Sequence, residues 1–194
     1  MPRQPDPGLE NRILNAARKL FLNGGEKGLS MRILAKAAHT NTPAVYRRFR
    51  NRKEILGALV QRSQQDLLAV LESCVSLQDA YHLLLAFALA HPHEYRLINA
   101  GVFSNVSVAR PDLEFLKRLS AEWFGGSPED HTSLVLALWA LVHGAATLLL
   151  SKAVPLSRQN DLHSVLDKAV ELLVQNRSVL SNKLEEGPAR VATR

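Results

Sequence analysis

A chain of 194 residues that is 46% hydrophobic is one domain of average size or two small ones, with ample material for a packed core. Its single cysteine, Cys74, lies in an apolar helical stretch; this excludes a disulfide framework and a Cys-rich zinc site and makes a reducing, cytoplasmic compartment the expectation. The net charge of +6 is uneven, because residues 1–53 hold 12 Lys and Arg against 3 Asp and Glu (+9) while residues 54–194 hold 12 against 15 (−3).

A basic first quarter on a slightly acidic remainder indicates a polyanion-binding head joined to a body with another task. Binding to a membrane surface explains the head less well, because a surface helix needs bulky apolar residues opposite its charges and here those residues are needed inside a three-helix core. In chain order, Met1–Gly8 carries three prolines and no apolar run, so it reads as a flexible arm and not as a signal or transit peptide. Leu9–Asn23 is a helix with Leu9, Ile13, Ala16, Ala17, Leu20 and Phe21 on one face, ended by Gly24-Gly25.

The stretch Ser30–Lys53 reads as a short helix, a tight turn and a second short helix, the layout of a helix-turn-helix. Ser30 caps the first, with Ile33, Leu34 and Ala37 as inward positions, and Ile33 where a capping box would need Glu or Gln. The turn falls at Ala37-Ala38-His39, where a left-handed residue is needed and Gly would be easier than His. Asn41 or Thr42 caps the second helix, and Pro43 suits its first turn. Val45 and Phe49 go inward, leaving Thr42, Ala44, Tyr46, Arg47 and Arg48 outward.

These residues resemble the TetR-type transcriptional regulators. The likeness begins at Arg12-Ile13-Leu14-x-Ala16-Ala17-x-x-Leu20-Phe21, continues through Gly25 and Met31-Arg32-x-Leu34-Ala35-x-x-Ala38, and ends in Tyr46-Arg47-Arg48-Phe49-x-Asn51-Arg52 with Leu56 behind it. The sequence departs from the usual pattern at His39, where Gly is common, and at Ile33, where an acid is common. The resemblance implies an all-α fold: an N-terminal three-helix helix-turn-helix DNA-binding domain over 1–53, with 1–8 as arm, and a C-terminal helical ligand-binding and dimerisation domain over 54–186. The expected DNA-facing residues are Arg32, Thr42, Pro43, Ala44, Tyr46, Arg47, Arg48 and Arg52. Each has a plainer reading as a solvated charge, a cap or a first turn. For Tyr46 the contact reading is favoured, since Val45 and Phe49 already fill the inward positions and a phenol suits phosphate. Arg52 stands where the family has a phosphate-binding Lys.

A longer helix over Arg52–Ser73 carries Ile55, Leu56, Leu59, Val60, Leu67, Leu68 and Leu71, and no linker separates head from body, so the two are expected to be coupled rigidly. Leu77–Ala90 is an apolar helix, His91–Ile98 a short one, Gly101–Arg110 a polar break, and Pro111 opens a helix closed by Gly125-Gly126. Ser127-Pro128-Glu129-Asp130 signals the start of a helix running to about Lys152, and the last helix is expected from Asn160 to Leu184, with a disordered tail over 187–194. His131–Ser151 carries no formal charge and is long enough to cross a bilayer, but Thr132, Ser133, His143, Gly144, Thr147 and Ser151 interrupt it, so no membrane partner is expected. Burial against its own domain and a second copy is the simpler account. Trp139-x-x-x-His143-Gly144 is similar to the Trp-His-Gly signature of one TetR subgroup, and the family implies a homodimer through the last two helices.

His91, His93 and His143 form no plausible metal set, and no nucleophile sits on a strained turn beside a base; neither metal, cofactor nor enzymatic activity is expected. Phe87, Tyr95, Phe103, Trp123, Trp139 and His143, with Phe124, are either core or the lining of a ligand pocket. The resulting expectation is a cytoplasmic regulator, a repressor released from a palindromic operator in double-stranded DNA by a small organic effector. The alternative is a structural DNA-binding dimer without an inducer.

Overall fold

Side-chain caps set the starts of three successive helices, and the computed structural model, which describes residues 6–99 and 110–180, shows how. After α1 (Leu9–Gly24), Ser30 Oγ accepts the Ile33 N–H at 3.2 Å to open α2 (Met31–Ala37), and Asn41 Oδ1 accepts the Ala44 N–H at 2.9 Å to open α3 (Thr42–Arg48). Asn51 Oδ1 does the same for the Glu54 N–H at 3.0 Å at the head of α4 (Arg52–Leu71). Each cap satisfies one of the N–H groups that a helix start leaves unpaired.

The contacts divide the chain into two compact units, of which the first holds described residues 6–65 and 93–99. Its core gathers Ile13, Ala17, Leu34, Val45, Phe49 and Ile55. The first turns of α4 add Leu56, Leu59 and Val60 to the same core, so this packed unit includes the start of α4. The short helix α6 (Pro92–Asn99) adds Leu97 and brings Glu94, only 6% exposed, to Arg18, whose Nε and Nη2 donate to Glu94 Oε1 at 3.0 and 2.9 Å. A carboxylate out of water needs such a partner.

The second unit holds residues 66–92 and 110–180. It contains α5 (Leu77–Ala90), α7 (Pro111–Phe124), α8 (Thr132–Leu150), α9 (Gln159–Gln175) and the short α10 (Arg177–Leu180). Helix α8 packs against α5, α7 and α9 and is apolar nearly all round. Among the described residues it is the one helix, counted from Pro128, long and apolar enough to cross a membrane, and 39% of its most apolar window is buried within the chain. Leu136 and Leu148 on α8, and Val165 and Leu172 on α9, remain exposed.

Two expected boundaries shift. Ser127–Asp130 opens a 3-10 turn, Pro128–His131, and α8 itself starts at Thr132. The turn is tight: the Ser127 N–H donates to Asp130 Oδ2 at 2.8 Å, and Gly126, at φ 82°, has no room for a Cβ, which would lie 2.8 Å from that same oxygen. The last helix breaks at Asn176, where the Asn176 Nδ2 donates to the Leu172 carbonyl at 2.8 Å, so α9 and α10 replace one continuous element. Among the described residues there is no strand. The expected tail over 187–194, the first residues of the arm, and Phe103 lie outside the described residues.

Candidate nucleic-acid interface

The turn between α2 and α3 is closed by backbone bonds from the Ala38 N–H to Leu34 O at 2.8 Å and from the Thr40 N–H to Ala35 O at 2.9 Å. His39 supplies the left-handed step at φ 52° that such a C-terminal cap requires, at the position where the sequence lacked Gly. Fixed by this turn, α3 buries Val45, with Phe49 buried just past its end, and presents Pro43, Tyr46, Arg47 and Arg48 to solvent, with Thr42 half-buried; Tyr46 is 51% exposed. Arg32 on α2 and Arg52 at the start of α4 are exposed too. The outward surface of a seven-residue helix thus carries one phenol and two guanidinium groups, chemistry suited to phosphates and base edges.

Three inside-outside assignments made from sequence are corrected. Ala44, expected to face outward with the DNA-contacting residues, is buried at 4% exposure beside Val45, so its methyl group serves packing. Ile33 and Ala37, expected inward, are exposed, Ile33 at 49%; Ala35 and Ala38 occupy the inward positions with Leu34. Helix α2 lays its small residues against its neighbours, and an inward alanine is invisible to a count of bulky apolar residues.

The described part of the arm reaches this surface. The Arg48 Nη2 donates to the Asp6 carbonyl at 3.3 Å, while the Asp6 carboxylate accepts from the Gly8 N–H at 3.0 Å and pairs with Arg12. The hydrogen bond from Arg12, followed by that from Gly8, holds the Asp6 carboxyl below its usual range, and Asp6 raises Arg12 in turn. No local signal announces a contact between residues 42 positions apart. The Asn51 cap had a signal, since Asn51-Arg52-Lys53-Glu54 has the N-cap and N3 pattern of a helix start.

The aromatic residues proposed for a ligand pocket fall into separate places. Tyr95 belongs to the first unit, because α6 packs into the core of the head. Phe87 is buried against His91, with ring centroids 4.9 Å apart. Trp139 stacks on His143 at 5.6 Å, and the Arg110 guanidinium lies 5.0 Å from the Trp139 ring while bonding the buried Asp112 carboxylate through Nε and Nη2 at 3.0 and 2.7 Å. Burial, and then the nearby Arg110, push the His143 pKa down. Trp123 and Phe124 line a cavity of about 470 Å³ with the ends of α5 and α9. Tyr81, 1% exposed on α5, has a hydroxyl without a hydrogen-bond partner among the described residues, and burial pushes its pKa up. Among the described residues no group of three or more His, Cys, Asp or Glu is placed to hold a metal ion.

A capped helix-turn-helix in a basic three-helix head, followed by a separate helical unit, defines a DNA-binding regulator of transcription. The family description "Bacterial regulatory proteins, tetR family" matches residues 13–59, and "Tetracyclin repressor-like, C-terminal domain" matches residues 77–173, half of the chain. The chain belongs to the TetR family. Its fold is similar to that of a protein of unknown function from Rhodococcus sp. RHA1, at 23% identity and TM-score 0.65, covering 90% of this chain and 98% of that one. It is also similar to a TetR-family transcriptional regulator from Streptomyces coelicolor, at 20% identity and TM-score 0.62, covering 87% and 98%. A TetR-like transcriptional regulator from Rhodococcus sp. RHA1 shares 17% identity at TM-score 0.59, covering 91% and 98%. No curated protein matches the sequence significantly.

Proposed function

We propose that the chain is a cytoplasmic repressor that works as a homodimer on a palindromic operator and leaves it when the body binds a small organic molecule. The observation that carries the DNA half is the outward face of α3, where Tyr46, Arg47 and Arg48 stand exposed on a helix fixed by its cap and its turn. The DNA-contacting set is Arg32, Thr42, Pro43, Tyr46, Arg47, Arg48 and Arg52; within it Tyr46 and the arginines of α3 meet bases or phosphates, and Arg52 meets phosphate from the first turn of α4. Two heads on adjacent major grooves read half-sites about 34–36 Å apart.

Pairing is supported by the exposed Leu136 and Leu148 on α8 and Val165 and Leu172 on α9, apolar surface that a second copy would cover. Sensing is supported by the cleft of about 470 Å³, open to solvent, in the second unit, a volume within the range of small-molecule sites. Helix α4 supplies residues to both units, so an occupant that prefers one setting of α4 changes the spacing of the heads, by no more than its differential affinity allows.

The test is binding to a selected duplex by fluorescence anisotropy over a salt series. Tyr46→Ala is expected to cost about 1–3 kcal/mol, and Arg52→Ala to weaken all sequences alike and flatten the salt slope by about one unit. Unchanged binding in both variants at moderate salt would remove the assigned interface.

A further inference from the structure

Two cavities of the second unit flank one phenyl ring. Phe124, the last residue of α7, lines both the cavity of about 470 Å³, shared with the start of α5 and the end of α9, and one of about 310 Å³ reaching His131 and Arg177. We propose that the larger cavity binds an aromatic organic cation, held between the rings of Trp123 and Phe124 and the carboxylate of Glu171. The proposal rests on the reading that the body binds a small organic molecule, and names the class.

Three observations define that class. The wall is mainly apolar, with Val75, Leu77 and Val174 beside the two rings, so the ligand needs an apolar body. Trp123 is 38% exposed, and an indole face is the side-chain surface that attracts a cation most strongly. Among the described residues Glu171 is the one charged residue of this lining, and Gln175 Nε2 donates to its Oε1 at 2.9 Å, which orients the carboxylate.

The neighbouring cavity offers an internal precedent. There the protein places its own cation on Phe124: the Arg177 guanidinium lies 4.2 Å from the ring centroid. Among the described residues the wall of the larger cavity carries no cationic side chain. An anion of equal size therefore meets repulsion from Glu171 where a cation meets two aromatic rings and a carboxylate. Val75 and Ser76 follow α4, which ends at Leu71, so an occupant bears on the segment that leads out of that helix.

The full-length protein without DNA is titrated with berberine, a planar aromatic cation, and with the anion 8-anilinonaphthalene-1-sulfonate, following tryptophan fluorescence. Saturable quenching by berberine is expected, and Trp123→Phe should remove most of it even though Trp139 remains. Glu171→Gln should weaken berberine about fivefold and leave the anion unchanged or tighter. Both side chains are exposed enough for the variants to fold, which circular dichroism checks. No saturable quenching, equal affinity for berberine in wild type and Glu171→Gln, or tighter binding of the anion than of the cation overturns the proposal. A cation that binds with this Glu171 dependence yet leaves DNA bound supports the site and removes the release mechanism. An effector that frees DNA equally from wild type and Glu171→Gln overturns the site and leaves the sensor reading intact.

Discussion

Replacing His39 with glycine should stabilise the head. His39 holds φ 52° in the turn between α2 and α3, a conformation that brings its Cβ close to the following carbonyl and costs an L-residue about 1–2 kcal/mol. The imidazole is exposed, so its removal opens no cavity. Glycine relieves the strain but enters the unfolded ensemble with more freedom, a loss of about 0.5–1 kcal/mol. The balance is a net gain centred on about 0.7 kcal/mol and at most about 1.5 kcal/mol, and for a unit of this size each kcal/mol moves the Tm by roughly 4–8 °C. Thermal unfolding by circular dichroism measures it, with His39→Ala as the control that keeps the strain while removing the ring. If alanine stabilised as much as glycine, the gain would come from losing the imidazole and the conformational argument would be wrong.

Two further outcomes concern the second unit. Tyr81→Phe deletes a buried hydroxyl without a partner among the described residues and should stabilise by about 1 kcal/mol in chemical denaturation; a loss of stability would show that the hydroxyl is bonded in solution. His143 titrates below its unfolded value, so the unfolded chain binds more protons as pH falls through about 6.5, and stability should drop there and continue to drop toward the lower folded pKa. His143→Gln should lessen that acid-side loss, and an unchanged profile between pH 7 and 5 would count against the burial of His143.

How much of this was legible depended on the length of each element and on whether its partners were local. The helix Leu77–Ala90 could be bounded to the residue, because a serine cap precedes it and His91-Pro92 follows it. The seven-residue helices α2 and α3 make barely two turns, too few for periodicity to fix a face, which is how Ile33 and Ala37 were placed inward and Ala44 outward. The exposure of Tyr46, Arg47 and Arg48 did not depend on that assignment, because these residues were still the ones left over once Val45 and Phe49 were buried. Tyr95 could not be assigned from sequence. Its unit is decided by Leu97 joining a core built from residues far earlier in the chain, and by Glu94 meeting Arg18, 76 positions away. The grouping of Trp123 with Phe124 and Glu171 likewise depends on how α7, α5 and α9 meet at their ends.

The central claim is that two identical heads, each reading through the outward face of α3, act together on one duplex. Selection of bound duplexes from a random pool by the purified chain tests it most directly. The account predicts an enriched inverted repeat whose half-site centres lie about 10 base pairs, or a whole multiple of a turn, apart. Enrichment of a single unrepeated half-site, or of no sequence at all, would contradict it.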